Sequence, residues 1–527
     1  MCSTAMGEIM SLQLTESWQI SKPAIVTDKG LVASHHHEAS TIGAEVLAAG
    51  GNAVDAAVAT GLAIGVLEPW MSGVGGCGYM MVYEVETGQC HAVDFSTIAP
   101  QSLDLADYPI EPSTETDDDL FGWPRVVDDR NVQGPLSIAV PTVVAGLSAA
   151  LERFGTVPWA DAIEPAVAMA RRGMKVDWYA TLRIALEARG LANYPASREF
   201  FMTDGLPAVS LDAGNLKTLQ SDRQVATLER LRDAGPEDFY RGDLAQAVAR
   251  DMTAVGARVT ADDLAAYEAR IVPARTAGYR DATVHVAPDL NAGPTLIDAL
   301  QRLEGAWEAS GATPDTKAFQ AYGTALFEAY AHRLTTMGEG NGESCTTHLT
   351  VVDAKGNMVA LTQTLLSVFG SRVMLPEVGF LMNNGIMWFD PRPGGPNSMK
   401  PGRRPLSNMC PAVVTGASGG AFALGASGGR RIFPAVFQLV SFLTDHGMSL
   451  NDAFATPRID VSGTDLVTVD SRLDQATRDA LASTWSTVEL PPSVISSYAC
   501  PNAVQNTGAE RHGCAFVTSP WAGVSTG

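Results

Sequence analysis

Apolar residues recur at helical spacing through much of the first half of the chain and at strand spacing through much of the second. Residues 39–49 carry a helical pattern stopped by Gly50-Gly51. Asn52 then predicts the cap of a second, small-residue helix that ends before Pro69. Residues 143–154, closed by Gly155, read as a helix. So do residues 159–172, with Arg171 and Arg172 in the last turn and Gly173 beyond, an arrangement that suits the helix macrodipole. Residues 244–255 and a start at Thr260-Ala-Asp-Asp continue the pattern. From His348 the period changes. Residues 348–353 and 358–364 are β-branched runs around Ala354-Lys355-Gly356-Asn357, which predicts a hairpin. With Lys355-Gly356 at its tip, Thr364 faces Thr347 and lies beside Thr346. Residues 412–414, 422–424 and 466–469 read as further strands and 432–443 as a helix. The pattern predicts a helix-rich first half packed with a sheet-rich second half, with no repeat or long linker between them.

Composition narrows the partners. With 46% hydrophobic and 18% charged residues, 527 residues have an ample core. Thirty-six Lys and Arg against 58 Asp and Glu give a formal charge of −22, which argues against nucleic acid. Residues 1–20 carry Glu8 and Glu16 and no apolar run, so no signal peptide is expected. The most apolar window, 53–67, includes Asp55 and is too short to span a membrane. Seven cysteines (2, 77, 90, 345, 410, 500 and 514) form no CxxC pair; reduced thiols and a cytoplasmic location are the expectation, without a zinc site or disulfide framework.

The chemistry concentrates at Ser344-Cys345-Thr346-Thr347-His348. A cut between Cys345 and Thr346 gives Thr346 both a hydroxyl nucleophile and a free α-amine to act as its base. With an unperturbed pKa of about 7.7–8.0, such an amine is substantially neutral near pH 7. The plain alternative is that Thr-Thr simply begins a strand. Gly425-Ala-Ser-Gly-Gly-Arg-Arg431 follows a strand and precedes a helix, so the amides of Gly428 and Gly429 can face a developing oxyanion, or the segment is only a tight turn. Gly73-Val-Gly-Gly-Cys-Gly78 lacks a Lys-Ser/Thr ending and runs into a strand, so close packing is expected there, not nucleotide binding. His35-His36-His37-Glu38 cannot place three consecutive rings on one face, and a structural turn is expected instead of a metal site. Asp117-Asp-Asp119 reads as a solvated loop. No GxSxG elbow or Ser-His-Asp order is found.

These residues also carry a resemblance. Gly50-Gly-Asn-Ala-Val-Asp-Ala-Ala57, Glu68-Pro69 with Gly73-Val-Gly-Gly76, Asp94-Phe95 with Ala99-Pro100, and Val140-Pro141 with Ala145-Gly146 resemble the large subunit of the γ-glutamyltransferase family. Thr346-Thr-His348, Val351-Val-Asp353, Asn383-Asn384, Arg404-Pro-Leu-Ser407 and Gly428-Gly429 resemble its small subunit. The resemblance implies an α+β fold, the four-layer αββα sandwich of the N-terminal-nucleophile hydrolases, made as a proenzyme that cuts itself. Residues 1–345 would form a large fragment and 346–527 a small one, intertwined as a heterodimer. Thr346 would attack the Cys345 carbonyl, then take an acyl group from a small-molecule amide, with Thr364 hydrogen-bonded to it and Gly428 and Gly429 forming the oxyanion hole. No metal or organic cofactor is implied, nor any nucleic-acid or membrane partner.

The departures bear on substrate. An Arg that pairs with a substrate α-carboxylate is usual where Ser96 stands, and an Asn where Leu366 stands. The residues that usually hold the α-amine correspond to Gly385 and Trp388, and the usual Ser-Ser pair is Ser407-Asn408. Arg372 is a candidate replacement anion partner. Three readings follow: a γ-glutamyl hydrolase or transferase, a glutaryl- or cephalosporin-type acylase or oxamate-like amidohydrolase, and a catalytically silent binding protein. Retention of Thr346, Thr364 and the glycine pair speaks against the last.

Overall fold

The computed structural model describes residue 18 and residues 20–112, 123–337, 345–417, 420–462, 466–493 and 497–527. The acidic run 117–119, Ser344 and most of the first twenty residues lie outside these. In chain order, the strands of the two central sheets are β1 (Ile25–Thr27), β2 (Leu31–Ser34), β3 (Cys77–Glu84), β4 (Gln89–Phe95), β5 (Arg270–Pro273), β6 (Arg275–Tyr279), β7 (Ala282–Val286), β8 (Cys345–Val352), β9 (Met358–Leu366), β10 (Ala412–Ala417), β11 (Gly420–Ser427), β12 (Cys500–Asn506), β13 (Arg511–Ala515) and β14 (Gly523–Thr526). One sheet has the order β1-β13-β12-β11-β10-β7-β6 and the other β14-β2-β8-β9-β3-β4-β5. Every pairing within them is antiparallel.

Helices cover both outer faces. Against the second sheet lie α1 (His37–Ala48), α2 (Ala53–Leu67) and α3 (Val143–Phe154), with α4 (Trp159–Arg172) packed on α2; α5 (Trp178–Ala192) follows α4 in the chain. Against the first lie α6 (Gly293–Ala306) and α8 (Ile432–Thr444), with α7 (Thr316–Thr336) packed on α6. The result is a four-layer αββα sandwich, because each sheet has two apolar faces to cover and only one can be turned toward the other sheet. α2 is buried along its whole length. Its alanines and glycines let it lie close to β8 and β9: a Cβ on Gly61 would meet Leu361 and Gln363 at 3.0 and 3.3 Å. The expected cap is present, with Asn52 Oδ1 accepting from Val54 and Asp55 N–H and Asp55 Oδ2 accepting from Asn52 N–H at 2.8 Å. Among the described residues no helix is long and apolar enough to cross a membrane.

Two sequence readings change. The halves of the chain do not segregate by type: β2, β3 and β4 come from the first hundred residues and share a sheet with β8 and β9. The strand expected to follow Gly78 is β3, buried on both faces along most of its length. The hairpin register also differs by one. Val352 pairs with Met358, and Thr347 faces Gln363, not Thr364. Asp353 widens the turn, its Oδ1 accepting from the N–H groups of Lys355, Gly356 and Asn357 at 2.9 Å each. The loop therefore centres on Lys355 and is longer than a two-residue tip.

Candidate active site

A bulge at the head of β8 restores what the wider turn displaced. Cys345 pairs with Leu366 and Thr347 with Gln363, so the register shifts across Thr346. Bulges re-aim a side chain. Here the Thr346 hydroxyl donates to Thr364 Oγ1 at 3.5 Å, and Thr364 Oγ1 also accepts from Leu366 N–H at 2.7 Å. Both threonines are buried. The face they share is fixed by their neighbours. His348 Nδ1 lies 2.8 Å from Thr362 Oγ1, and its ring rests on Gly425 of β11, where a Cβ would fall 2.3 Å from Cε1. Thr364 is two residues beyond Thr362 and so points the same way, into the space between the sheets.

β11 carries on from Gly425 into Gly428-Gly429. Gly428 has φ 129° and Gly429 φ 61°, both in the region that L side chains avoid. A Cβ on Gly428 would also sit 2.9 Å from Ala499 Cα. A single 3₁₀ turn (Gly429–Arg431) leads directly into α8, so the glycines stand at a helix N-terminus, where amide N–H groups lack intrahelical acceptors.

A second group of residues forms around Ser96. Its hydroxyl donates to Asp94 Oδ1 at 2.7 Å and accepts from Arg404 Nη1 at 2.7 Å. Arg404 also donates to Ser96 O at 3.0 Å and stacks over Tyr267 at 5.6 Å. Asp94 is paired with Arg270 as well. A guanidinium thus stands beside Ser96, supplied from a distant part of the chain. Nothing in its spacing singled Arg404 out; its only signal was its place in Arg404-Pro-Leu-Ser407. Arg333, likewise unforeseen, donates to Ser407 O at 2.8 Å and Asn408 Oδ1 at 3.3 Å, while Ser407 Oγ and Asn408 Nδ2 are buried without acceptors among the described residues. Leu366 (φ 86°), Met387 and Trp388 pack together with Tyr79 and Met409, and Trp388 Nε1 is a third buried donor without an acceptor. Asn383 and Asn384 shape this wall: Asn383 Oδ1 accepts from Gly385 N–H at 2.9 Å, and Asn384 Oδ1 from Ser367 N–H at 3.0 Å. Among the described residues, no hydrogen bond brings Arg372 to this group. Its Nε donates to Glu187 Oε2 of α5 at 2.7 Å, so its charge is already met.

Buried ionisable groups lie nearby. Glu68 is buried beside Trp70 and Arg183, and desolvation pushes its carboxyl up to about 8 despite the Arg183 charge. Between the ordinary carboxyl range and pH 8 the unfolded chain is ionised at this residue and the folded one is protonated. Stability contributed by Glu68 is therefore complete at low pH and falls by about 1.4 kcal/mol per pH unit as pH rises through that window. Glu68→Gln is expected to remove that slope, so that denaturant midpoints at pH 5 and pH 8 draw together; an unchanged slope would show that Glu68 is ionised in the fold.

The three histidines divide their tasks. His36 caps α1, accepting from Glu38 N–H; His37 stacks on His36 at 5.2 Å; His35 turns inward toward Thr347. The described cysteines 77, 90, 410, 500 and 514 form no disulfide.

Comparison with known proteins places this geometry. The family model described as gamma-glutamyltranspeptidase matches residues 39–345 and 335–515. The acylase ACY 1 proenzyme of Pseudomonas sp. (strain SE83) is 33% identical over 505 residues, covering 88% of each chain. The glutathione hydrolase proenzyme of Escherichia coli (strain K12) is 29% identical over 485 residues, covering 82% of this chain and 80% of its own. Among solved structures, the cephalosporin acylase from Bacillus halodurans superposes with a TM-score of 0.84 at 21% identity over 98% of this chain and 99% of its own, a likeness of fold. The Helicobacter pylori gamma-glutamyltranspeptidase matches with a TM-score of 0.51 at 26% identity over 62% of this chain and 86% of its own. The two-sheet sandwich and the order of motifs along it lead to one conclusion: this chain is an enzyme of the gamma-glutamyltranspeptidase family of hydrolases and acyltransferases.

Proposed function

We propose that the chain cuts itself between Cys345 and Thr346 and that Thr346 then cleaves an amide whose acyl part ends in a carboxylate and lacks an α-amine, as a glutaryl group does. The observation that carries the catalytic half of this reading is the Thr346–Thr364 hydroxyl pair, held at a bulge on a buried strand. In the first stage the Thr346 Oγ attacks the Cys345 carbonyl carbon, the peptide C–N bond breaks, and the resulting ester is hydrolysed by water. The C–N cleavage frees the α-amine of Thr346, and the hydrolysis returns its hydroxyl and leaves Cys345 as a carboxylate terminus. In the second stage this amine takes the hydroxyl proton as Oγ adds to the substrate carbonyl, and the amides of Gly428 and Gly429 receive the developing oxyanion. The proton passes to the departing amine, leaving an acyl ester on Thr346 that water or a second amine resolves. The two fragments stay together because β8 and β9 lie between β2 and β3 in one sheet.

The acyl preference rests on which partners remain free. The Ser407 hydroxyl, Asn408 amide and Trp388 indole N–H are buried donors awaiting acceptor oxygens, and Arg404 adds a positive charge beside Ser96. The carboxylates named in this region, Asp94, Asp289 and Asp390, lie in ion pairs with Arg270, Arg404 and Arg392. A substrate ammonium would be desolvated here without a counter-charge, at a cost of several kcal/mol. The relative named acylase ACY 1 supports cleavage of an acyl amide by this chain. A compartment that keeps thiols reduced, the cytoplasm, fits the unpaired cysteines. Glutaryl-p-nitroanilide, γ-glutamyl-p-nitroanilide and oxamate, assayed side by side, test the reading. The expected order puts glutaryl kcat/KM at least about tenfold above γ-glutamyl, equivalent to about 1.4 kcal/mol. A γ-glutamyl preference would contradict it, whereas a preference for oxamate, whose acyl part also ends in a carboxylate without an α-amine, would shorten the acyl group within the same class.

A further inference from the structure

We propose that His35 is a positioning residue for Thr346, joining the head of the nucleophile strand to the strand beside the glycine turn. The inference rests on the reading of Thr346 given above and extends it to a residue outside the reacting group. His35 follows directly on β2 and is 3% exposed. Its Nε2 lies 2.8 Å from the Cys500 carbonyl oxygen, which can only accept, so this nitrogen carries the hydrogen. Nδ1 is then the acceptor, and it faces the Thr347 hydroxyl at 3.4 Å and the His348 N–H at 3.5 Å.

The two ends of this bridge matter. Thr347 is the residue after Thr346 and the first to resume regular pairing past the bulge. Cys500 pairs with Ser427, the residue before Gly428. One imidazole therefore spans from the neighbour of the nucleophile to the strand that holds its proposed oxyanion donors in register. Thr346 itself sits where the ladder is interrupted, so the anchorage of Thr347 sets the direction of its side chain. Burial holds the His35 imidazole neutral, down to about 4, aided by the nearby Lys22 charge, so the acceptor nitrogen persists throughout the working range. Thr347 faces the outer helices with Gln363, whose amide donates to Gly61 O at 2.7 Å and Ser72 Oγ at 3.1 Å. His35 acts through Thr347 and Cys500 and is assigned no contact with the reacting atoms.

The test uses full-length protein carrying His35→Asn, His35→Gln or His35→Ala, with kcat normalised to the cut fraction seen on a denaturing gel. Asn can place an acceptor oxygen where Nδ1 stands; Gln can reach the Cys500 carbonyl but gives up that acceptor; Ala removes both. The expected result is a fall in kcat of about 100-fold in Ala and Gln, the scale of a misplacement near 1 Å. KM should stay within about threefold of wild type, and Asn should recover at least about tenfold of the loss. Equal kcat in all variants and wild type, an effect on KM alone, or no difference between Asn and Ala would each overturn the inference. Should Ala fail to fold, the Asn–Gln contrast decides it. Thr346→Ala serves as the control that separates the two claims. An inactive, uncut Thr346→Ala with wild-type His35 variants removes only the role of His35, whereas an active Thr346→Ala removes the reading on which it rests.

Discussion

Thr346→Ala is expected to migrate as a single uncut chain of 527 residues and to show no amide hydrolysis above background. Both losses come from one oxygen. Without Oγ there is nothing to attack the Cys345 carbonyl, and without the cut there is no α-amine to act as base. Thr346→Ser, which keeps the hydroxyl, should be cut and should retain part of the activity, since it loses only the stiffness of a β-branched side chain. Cutting at the same bond in Thr346→Ala would place the processing nucleophile elsewhere. Surviving turnover in that variant would place the catalytic one elsewhere too.

The second large effect is expected at Gly428. Alanine there must adopt φ 129° and accept a Cβ 2.9 Å from the Cα of Ala499, a backbone atom that cannot swing aside. Residues forced into such regions cost on the order of 1–3 kcal/mol, and the turn will shift to relieve it. The amides of residues 428 and 429 then leave the positions proposed to face the oxyanion. Loss of one such donor lowers kcat by about 10²–10³. Gly428→Ala should show that fall in the cut fraction, with KM little changed and the rest of the fold intact by circular dichroism. A kcat within about threefold of wild type would remove these amides from the reaction, against the scale just given.

Much of this was legible from the chain alone, for reasons that differ by residue. Helices such as Val143–Phe154 and Trp159–Arg172 fell where their periodicity and terminal glycines put them, because local signals suffice for a helix with one apolar face. The Asn52 cap was equally readable, since its hydrogen bonds close within three residues. β3 and β4 pair with each other locally, but their outer neighbours, β9 and β5, lie far along the chain, and pairing of that kind leaves no local trace. The turn at Asp353 misled by one residue, because a carboxylate that gathers three amides outweighs a two-residue turn preference. The bulge at Thr346 then brought Thr364 into reach by a route the turn alone did not contain.

The candidate site divides in the same way. Thr346, Thr364 and the glycine pair could be named because motif order carries them. Arg372 was a reasonable guess for a missing cation, but Glu187, on a helix nearly two hundred residues earlier, had already claimed it. Arg404 and Arg333 could not be assigned in advance, as their roles arise only when β4, α7 and the segment before β10 meet. His35 read as part of a structural turn, and only its burial against Cys500 and Thr347 gives it another meaning.

The most direct measurement is the mass and N-terminal sequence of the smaller polypeptide in purified, active enzyme. It should span residues 346–527 and begin Thr-Thr-His-Leu with an unblocked amine. Full activity from protein whose bond between residues 345 and 346 is still closed, or a small fragment that starts at any other residue, would contradict it.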